Sequence, residues 1–181
     1  IYRNKAKVND DIYVSGNLGD SYLGLQLIQK KIKLSKLLTN YFITKYFMPD
    51  IKLKLADKLK QFAHSSIDIS DGILTDLNKL INNQKLSYKL KLTDIPISKN
   101  LKKVLASKKL SKINFISKGD DYQILFTAPK SKSRIINNIS SKLGLKITKI
   151  GIIQNKSLKS SIIDHNNRVI SVKNTGYFHK F

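Results

Sequence analysis

The sequence predicts an α+β fold in which helices flank a mixed β-sheet. Stretches of alternating apolar and polar residues interleave with stretches of helical period along the whole chain. Near the end of the chain, two alternating stretches form an apparent hairpin, which favours a mixed sheet over a parallel one. The 181 residues suit a single domain, residues 1–181, without an internal repeat or linker.

The first half of the chain is predicted to contain two strands and four helices. A strand over residues 11–15 stops at Gly16, and a glycine-containing turn leads into a helix for which Asp20 can serve as N-cap. The other elements of this half are predicted helices over residues 34–47, 51–62 and 72–81 and a strand over residues 64–70. In the helices apolar residues recur at spacings of three and four, whereas in the strands they alternate.

The second half continues in mixed order. Strands are predicted over residues 86–92, 122–127 and 146–153, and helices over residues 101–106 and 131–143. Gly144 ends the last of these helices. The apparent hairpin follows, with strands over residues 160–164 and 168–172 around the sequence HNN.

The chain is strongly basic, with 34 Lys and Arg against 12 Asp and Glu, a net charge of +22 and a pI of about 10.1. Such a charge is typical of nucleic-acid-binding proteins. However, only three of the basic residues are Arg, Glu is absent, and Lys is spread along the whole chain. This even spread favours a coding bias towards AT-rich codons over a dedicated nucleic-acid surface.

The residues and segments that the sequence lacks restrict both the cellular compartment of the protein and the reactive groups it can use. There is no Cys, which excludes disulfides, thiol catalysis and thiolate metal sites. No apolar run approaches the roughly 20 residues of a bilayer span, and no signal-peptide pattern is present. We therefore expect a soluble, cytoplasmic protein.

The stretch SIDISDGILTDL concentrates three of the scarce carboxylates. Asp68 and Ser70 lie two residues apart on a predicted strand and so share a face, and Asp71 follows at the junction with the next helix. Carboxylates bind Mg²⁺, which usually keeps phosphate oxygens as further ligands, and a helix N-terminus donates N–H groups to phosphates. This stretch therefore has the groups needed to hold a metal-bound polyphosphate.

Each carboxylate of this stretch also has a structural interpretation. Asp71 can simply cap its helix, and Asp68 can pair with one of the many lysines. Asp76 lies one turn into the helix, where it can meet Lys79 three residues on, and we interpret it as a solvated helix charge.

Other polar motifs carry weaker signals. Asp120 and Asp121 follow Gly119 at a predicted strand start, where they form either a turn with a solvated edge or a site facing a cation or substrate. The turn SGNLGDSYLG lacks the lysine and hydroxyl residues of a P-loop, which favours a structural role. The three histidines share no metal-ligand spacing.

Several of these segments together resemble thiamine-monophosphate kinase. DDIYVSGNLGDSYLGLQLI, SIDISDGILTDL, GDDYQILFTAP, ITKIGII and the terminal GYFHKF occur in the order of that family's C-terminal half. DISDG alone recurs across the wider superfamily of aminoimidazole ribonucleotide synthetase-like enzymes. The resemblance implies the C-terminal domain of that fold and the reaction of ATP with thiamine monophosphate to give ADP and thiamine diphosphate.

The resemblance also implies roles for individual residues. Asp68 and Asp71 would bind Mg²⁺, and Ser70 and Arg3 would contact ATP. Asp120, in place of the family's usual Glu, and Tyr177 in the aromatic tail would contact thiamine monophosphate. None of these would be a catalytic acid, base or nucleophile, because phosphoryl transfer needs positioning and charge neutralisation more than covalent catalysis.

The family's N-terminal domain carries further metal-binding Asp residues and much of the nucleotide pocket. We therefore expect this chain to be inactive without an N-terminal half or a second half-chain, and full-length members of the family are usually homodimers. Two alternatives are a basic nucleic-acid-binding domain and a folded remnant without function. The first predicts association with DNA or RNA that weakens steeply with salt.

Overall fold

A six-stranded mixed sheet forms the centre of the molecule in a computed structural model that describes residues 3–172. Its strands, in chain order, are β1 (Asp11–Ser15), β2 (Ser65–Asp68), β3 (Leu86–Lys91), β4 (Ile124–Ala128), β5 (Ile147–Asn155) and β6 (Ser161–Ile163). Their spatial order is β2-β4-β1-β5-β3-β6. All neighbours pair antiparallel except β3 and β6, which are parallel.

Seven helices within residues 3–172 surround this sheet. They are α1 (Asp20–Ile28), α2 (Lys36–Phe47), α3 (Leu53–Ala56), α4 (Ile73–Leu80), α5 (Lys99–Ser107), α6 (Ile113–Ile116) and α7 (Ser133–Leu143). None of the helices in this part of the chain combines the length and the apolar character that a membrane crossing needs.

The core has three parts because both faces of the sheet are covered. Ile12 and Val14 of β1 point to the face that α4 covers, whereas Tyr13 between them points to the face that α3 and α7 cover. There the Tyr13 ring stacks on Phe126 of β4, with ring centroids 5.2 Å apart. A third cluster joins α1, α2, α5 and α6 at one side, where Phe42 is fully buried.

Most predicted elements are confirmed within a few residues, and the α+β class with a mixed sheet is confirmed. The predicted helix over residues 51–62 is instead two short pieces, α3 and a 3₁₀ turn over Leu59–Gln61, with Leu55 and Leu59 both buried as expected. The four-residue helix α6 was not predicted, because one turn is too short to show a helical period.

The predicted terminal hairpin is only partly correct. A single antiparallel bridge joins Ile163 to Val169, so the turn around HNN exists. However, the main partner of β6 is β3, and the pairing is parallel. The mixed character of the sheet thus comes from a long-range pairing that local alternation cannot reveal.

Candidate active site

The two acidic stretches of the sequence lie side by side because the pairing of β2 with β4 continues beyond β2. The Ile69 N–H donates to the Gln123 carbonyl at 2.9 Å, and the Tyr122 N–H donates back to the Ile69 carbonyl at 2.9 Å. One step further, the Asp120 N–H donates to the Ser70 carbonyl at 3.0 Å. These bonds hold the turn before α4 against the turn before β4.

Glycine is required on both sides of this contact. Gly72 has a φ of +111°, and a Cβ built there would also lie 3.1 Å from the Lys118 nitrogen. A Cβ on Gly119 would overlap the Ser70 carbonyl oxygen and would lie 2.7 Å from the carbonyl carbon. The two backbones can therefore approach this closely only because neither position carries a side chain.

A cleft of about 390 Å³ opens beside this contact, and we call it the tyrosine cleft. The residues that line it come from α1, α2 and the two acidic stretches: Tyr22, Leu25, Tyr46, Ser70, Asp71, Lys118, Gly119, Asp120 and Tyr122. Three predicted site residues, Ser70, Asp71 and Asp120, are among them. The cleft therefore combines two carboxylates with three aromatic rings.

Asp76 holds the backbone in place at the Asp71 end of the tyrosine cleft. It is fully buried, so its interpretation as a solvated helix charge is wrong. One carboxylate oxygen accepts the N–H groups of Asp71 at 2.8 Å and Gly72 at 3.1 Å. The other oxygen accepts the Lys79 ammonium at 3.2 Å, as the spacing predicted. Burial raises the pKa of Asp76, and these hydrogen bonds oppose the rise.

Asp71 does not cap α4 as one interpretation proposed, because the capping position belongs to Gly72. Its carboxylate instead pairs with the Lys79 ammonium. Across the cleft, the pKa of Asp120 is raised, first by burial and then by the negative charge of Asp71. The two carboxylates thus lie close enough to repel each other.

Asp121, next to Asp120, points the opposite way into the protein. Its carboxylate accepts the N–H groups of Gly19 at 2.8 Å and Ser21 at 3.4 Å, at the start of α1. Burial raises the pKa of Asp121 to about 8, and the charges of Asp20 and Asp120 add to the rise. Asp121 therefore positions α1, which carries Tyr22 and Leu25 into the tyrosine cleft.

Asp20 does not cap α1 either, because the N-cap is Gly19. Its buried carboxylate accepts the hydroxyl of Ser98 at 2.7 Å and that of Tyr41 at 3.0 Å. Burial raises its pKa, and the two hydroxyl groups oppose the rise. The carboxylate thus ties α1 to α2 and to the start of α5.

The raised pKa of Asp121 predicts that stability falls as pH rises. Its ordinary pKa of 3.8 applies to the unfolded chain, and its folded pKa is about 8. Between these values the native state keeps a proton that the unfolded state has lost, so its stability contribution is complete below about pH 4 and lost above about pH 8. Urea unfolding at pH 5, 6, 7 and 8 should show this fall, at no more than about 1.4 kcal/mol per pH unit.

Asp121→Asn should flatten this profile, because an amide cannot ionise and still accepts the Gly19 N–H. Asp57→Asn, at an exposed position, is the matched control and should leave the slope unchanged. Equal slopes for the wild type and Asp121→Asn would contradict the raised pKa.

Two further predicted site residues, Asp68 and Arg3, do not line the tyrosine cleft. Asp68 is exposed at the end of β2, and its side chain has no hydrogen bond or ion pair within residues 3–172. Arg3 is exposed. It lies near the C-terminal end of α4, away from Asp71, because the N–H of the neighbouring Asn4 donates to the Leu80 carbonyl at 3.0 Å. Tyr177 lies outside the described residues.

The aromatic lining was not predicted from the sequence. Tyr22 and Tyr46 belong to different helices and meet only because α1 packs on α2, where Gly24 approaches the Phe42 backbone. Only Tyr122 could have been placed near the site from the sequence, because it directly follows the two adjacent carboxylates. Its φ of +48° turns the chain back into β4.

The tyrosine cleft fits a divalent cation shared with a ligand. Within residues 3–172, no three His, Cys, Asp or Glu side chains are grouped so as to hold a metal ion alone. Mg²⁺, however, commonly takes one or two carboxylates and completes its shell with water and phosphate oxygens. Asp71, which lines the cleft next to the start of α4, can serve as one such carboxylate.

No protein-family profile matches the chain. Among curated proteins, it is 34% identical over 181 residues to "Thiamine-monophosphate kinase" of Buchnera aphidicola subsp. Schizaphis graminum, which covers 99% of this chain and 55% of the relative. The chain therefore spans about half the length of the curated relatives it matches.

Comparison with solved structures also finds thiamine-monophosphate kinases. The thiamine-monophosphate kinase from Stenotrophomonas maltophilia matches with a TM-score of 0.78 and 26% identity, covering 91% of this chain and 52% of that one. "AaThiL complexed with AMPPCP and TMP" matches with a TM-score of 0.76 and 25% identity, covering 97% and 53%. The fold is that of aminoimidazole ribonucleotide synthetase-like proteins. Over nearly its whole length, the chain is therefore similar to the C-terminal half of thiamine-monophosphate kinases.

Proposed function

We propose that this chain forms the acceptor-binding half of a thiamine-monophosphate kinase active site. In the reaction, an oxygen of the thiamine monophosphate phosphate group forms a bond to the γ-phosphorus of ATP. The bond between that phosphorus and the β,γ-bridging oxygen breaks, and ADP leaves. The products are thiamine diphosphate and ADP.

The observation that carries this proposal is the composition of the tyrosine cleft. Thiamine monophosphate combines a cationic aromatic ring with a phosphate group. Aromatic side chains attract a cationic ring through its positive charge, and here Tyr22, Tyr46 and Tyr122 line the same cleft as Asp120. Asp71, at the start of α4, lies where a metal-bound phosphate would be favoured. The similar structure complexed with AMPPCP and TMP supports the same pair of ligands.

Residue roles follow from this proposal. Asp71 and Asp68 would hold Mg²⁺, which when bound neutralises the phosphate charges that would otherwise repel one another. Ser70 would contact the ATP phosphates and Arg3 another part of the nucleotide. Asp120 would face the thiamine moiety, together with Tyr177 of the tail.

The proposal includes the organisation of the active site. Residues 1–181 would form a single C-terminal domain, and the complete site would need the N-terminal domain of the family, on the same or a separate polypeptide. The active form would be a homodimer of the complete protein. We also infer a cytoplasmic location, because the reaction consumes ATP.

The proposal is tested by complementation. The purified chain is mixed with a separately produced N-terminal half of a thiamine-monophosphate kinase, and thiamine diphosphate is measured with ATP, Mg²⁺ and thiamine monophosphate. We expect activity only when both halves are present. Asp71→Asn should lower it at least about 100-fold, because it removes a charge that acts directly on the reacting phosphates.

Asp57→Asn, which removes the same charge from an exposed position, should keep full activity. Undiminished activity of Asp71→Asn would contradict its role as a metal ligand. If both halves fold and associate but produce no thiamine diphosphate, the proposed kinase activity is wrong.

A further inference from the structure

Two lysines lie near the Asp71 end of the tyrosine cleft, and their surroundings differ. Lys79 is engaged by two carboxylates, those of Asp71 and Asp76. The hydrogen bonds that its ammonium donates to Asp71 and Asp76 raise the pKa of Lys79 and so favour its charged form. Lys79 therefore neutralises the protein's own acids and has little capacity left for a ligand.

Lys118 is placed differently. It lines the tyrosine cleft and is partly buried, and its backbone nitrogen lies beside the Gly72 turn. Within residues 3–172, its ammonium makes no hydrogen bond or ion pair, although Asp71 and Asp120 line the same cleft. Among the described residues that line the cleft, Lys118 is the one with a positive charge.

A phosphorylated ligand needs this charge. Asp71 and Asp120 would repel the phosphate group of an acceptor, and a cation shared with the donor phosphates offsets only part of this repulsion. An ammonium group donates up to three hydrogen bonds, and hydrogen bonds between ions are about twice as strong as neutral ones. Because Lys118 is already partly shielded from water, its attraction to a phosphate is less weakened by solvent than that of the exposed lysines.

We propose that Lys118 binds the phosphate group of the phosphomonoester acceptor and so makes the tyrosine cleft select the phosphorylated ligand over the corresponding free alcohol. This inference rests on the proposed function, since it assigns the acceptor to this cleft. Tyr22, Tyr46 and Tyr122 would hold the ring in either ligand, whereas Lys118 would contact only the phosphorylated one.

The test compares the binding of thiamine monophosphate and of thiamine by titration calorimetry. The wild-type chain is compared with Lys118→Gln, Lys118→Arg and Lys142→Gln, the last being a matched loss of one charge at an exposed position on α7. Such a control is needed because a chain with a net charge of +22 attracts any anion. Thermal melting checks that each variant is folded.

We expect Lys118→Gln to lower the affinity for thiamine monophosphate about 10-fold or more, the effect of losing a charged hydrogen bond, and to leave that for thiamine unchanged. Lys118→Arg should retain most of the preference for thiamine monophosphate over thiamine, and Lys142→Gln should retain all of it.

Equal losses of affinity in Lys118→Gln and Lys142→Gln would overturn the proposal in favour of general electrostatic attraction. If Lys118→Gln keeps the wild-type preference for thiamine monophosphate over thiamine, the proposed role of Lys118 is wrong, although the cleft remains the acceptor site. If the folded wild type binds neither ligand, the assignment of the acceptor to this cleft fails, and the role of Lys118 fails with it.

Discussion

Replacing Asp76 with alanine is expected to lower the free energy of unfolding by about 4 kcal/mol. The N–H groups of Asp71 and Gly72 both donate to one buried Asp76 oxygen, and each buried donor without a partner costs about 1–3 kcal/mol. Lys79 also loses one of its two carboxylates. In a chain of this length, the change corresponds to a fall in Tm of roughly 8–16 °C, measurable by calorimetry.

Asp76→Asn separates the loss of the backbone hydrogen bonds from the loss of the ion pair with Lys79. The amide oxygen can still accept both N–H groups, while its NH₂ group faces the Lys79 ammonium that the carboxylate used to accept. We therefore expect a smaller loss, about 1–2 kcal/mol. Equal losses for the two variants would show that the backbone contacts of Asp76 contribute little. A loss below about 1 kcal/mol for Asp76→Ala would mean that the turn before α4 does not depend on Asp76.

Replacing Gly119 with alanine is the second change with a large expected effect. The added Cβ would overlap the Ser70 carbonyl oxygen and would lie 3.0 Å from the Asp71 Cα, so backbone rather than a flexible side chain must move. We expect a loss of about 3 kcal/mol or more in unfolding free energy, since the shift also breaks the hydrogen bond from Asp120 to Ser70. Chemical unfolding measures the loss.

Gly144→Ala is the informative comparison for Gly119→Ala. Gly144 has a φ of +58° at the end of α7, and no atom lies within 4 Å of a Cβ built there. Its substitution should cost only the strain of a left-handed backbone, about 1–2 kcal/mol. Because Gly119 lines the tyrosine cleft, its substitution should also weaken ligand binding, whereas Gly144→Ala should not. A Gly119→Ala protein as stable as the wild type would contradict the close contact between the two turns.

The reconstituted kinase reaction would show how these structural contacts serve the chemistry. In the proposal, neither Asp76 nor Gly119 contributes a side chain to ligand binding. They hold the Asp71 turn and the Asp120 turn against each other, and phosphoryl transfer depends on such positioning. Loss of either should therefore reduce activity through geometry, while Asp71→Asn acts on charge alone.

Much of the fold follows from local patterns in the sequence. Strand β1 and helices α2, α4, α5 and α7 were predicted within a few residues, because the apolar period of a segment reports which of its faces is buried. Short elements such as α6 carry too few residues to show a period. The parallel partner of β6 lies in β3, about 70 residues earlier in the chain, and no local pattern encodes such a partner.

The sequence by itself determined the α+β class, the concentration of scarce carboxylates around Ser70 and Asp71, and the family that these motifs resemble. Only the tertiary structure decided what each carboxylate does. Asp120 and Asp121 are neighbours in sequence, yet Asp120 lines the cleft whereas Asp121 accepts N–H groups at the start of α1. Both lie in the turn before β4, where Asp120 and Tyr122 have positive φ, and the packing of α1 against this turn decides which of the two carboxylates is buried. In the same way Asp76 is buried and Lys118 has no carboxylate partner among the described residues, since burial and pairing depend on segments far apart in the chain that meet only in the folded protein.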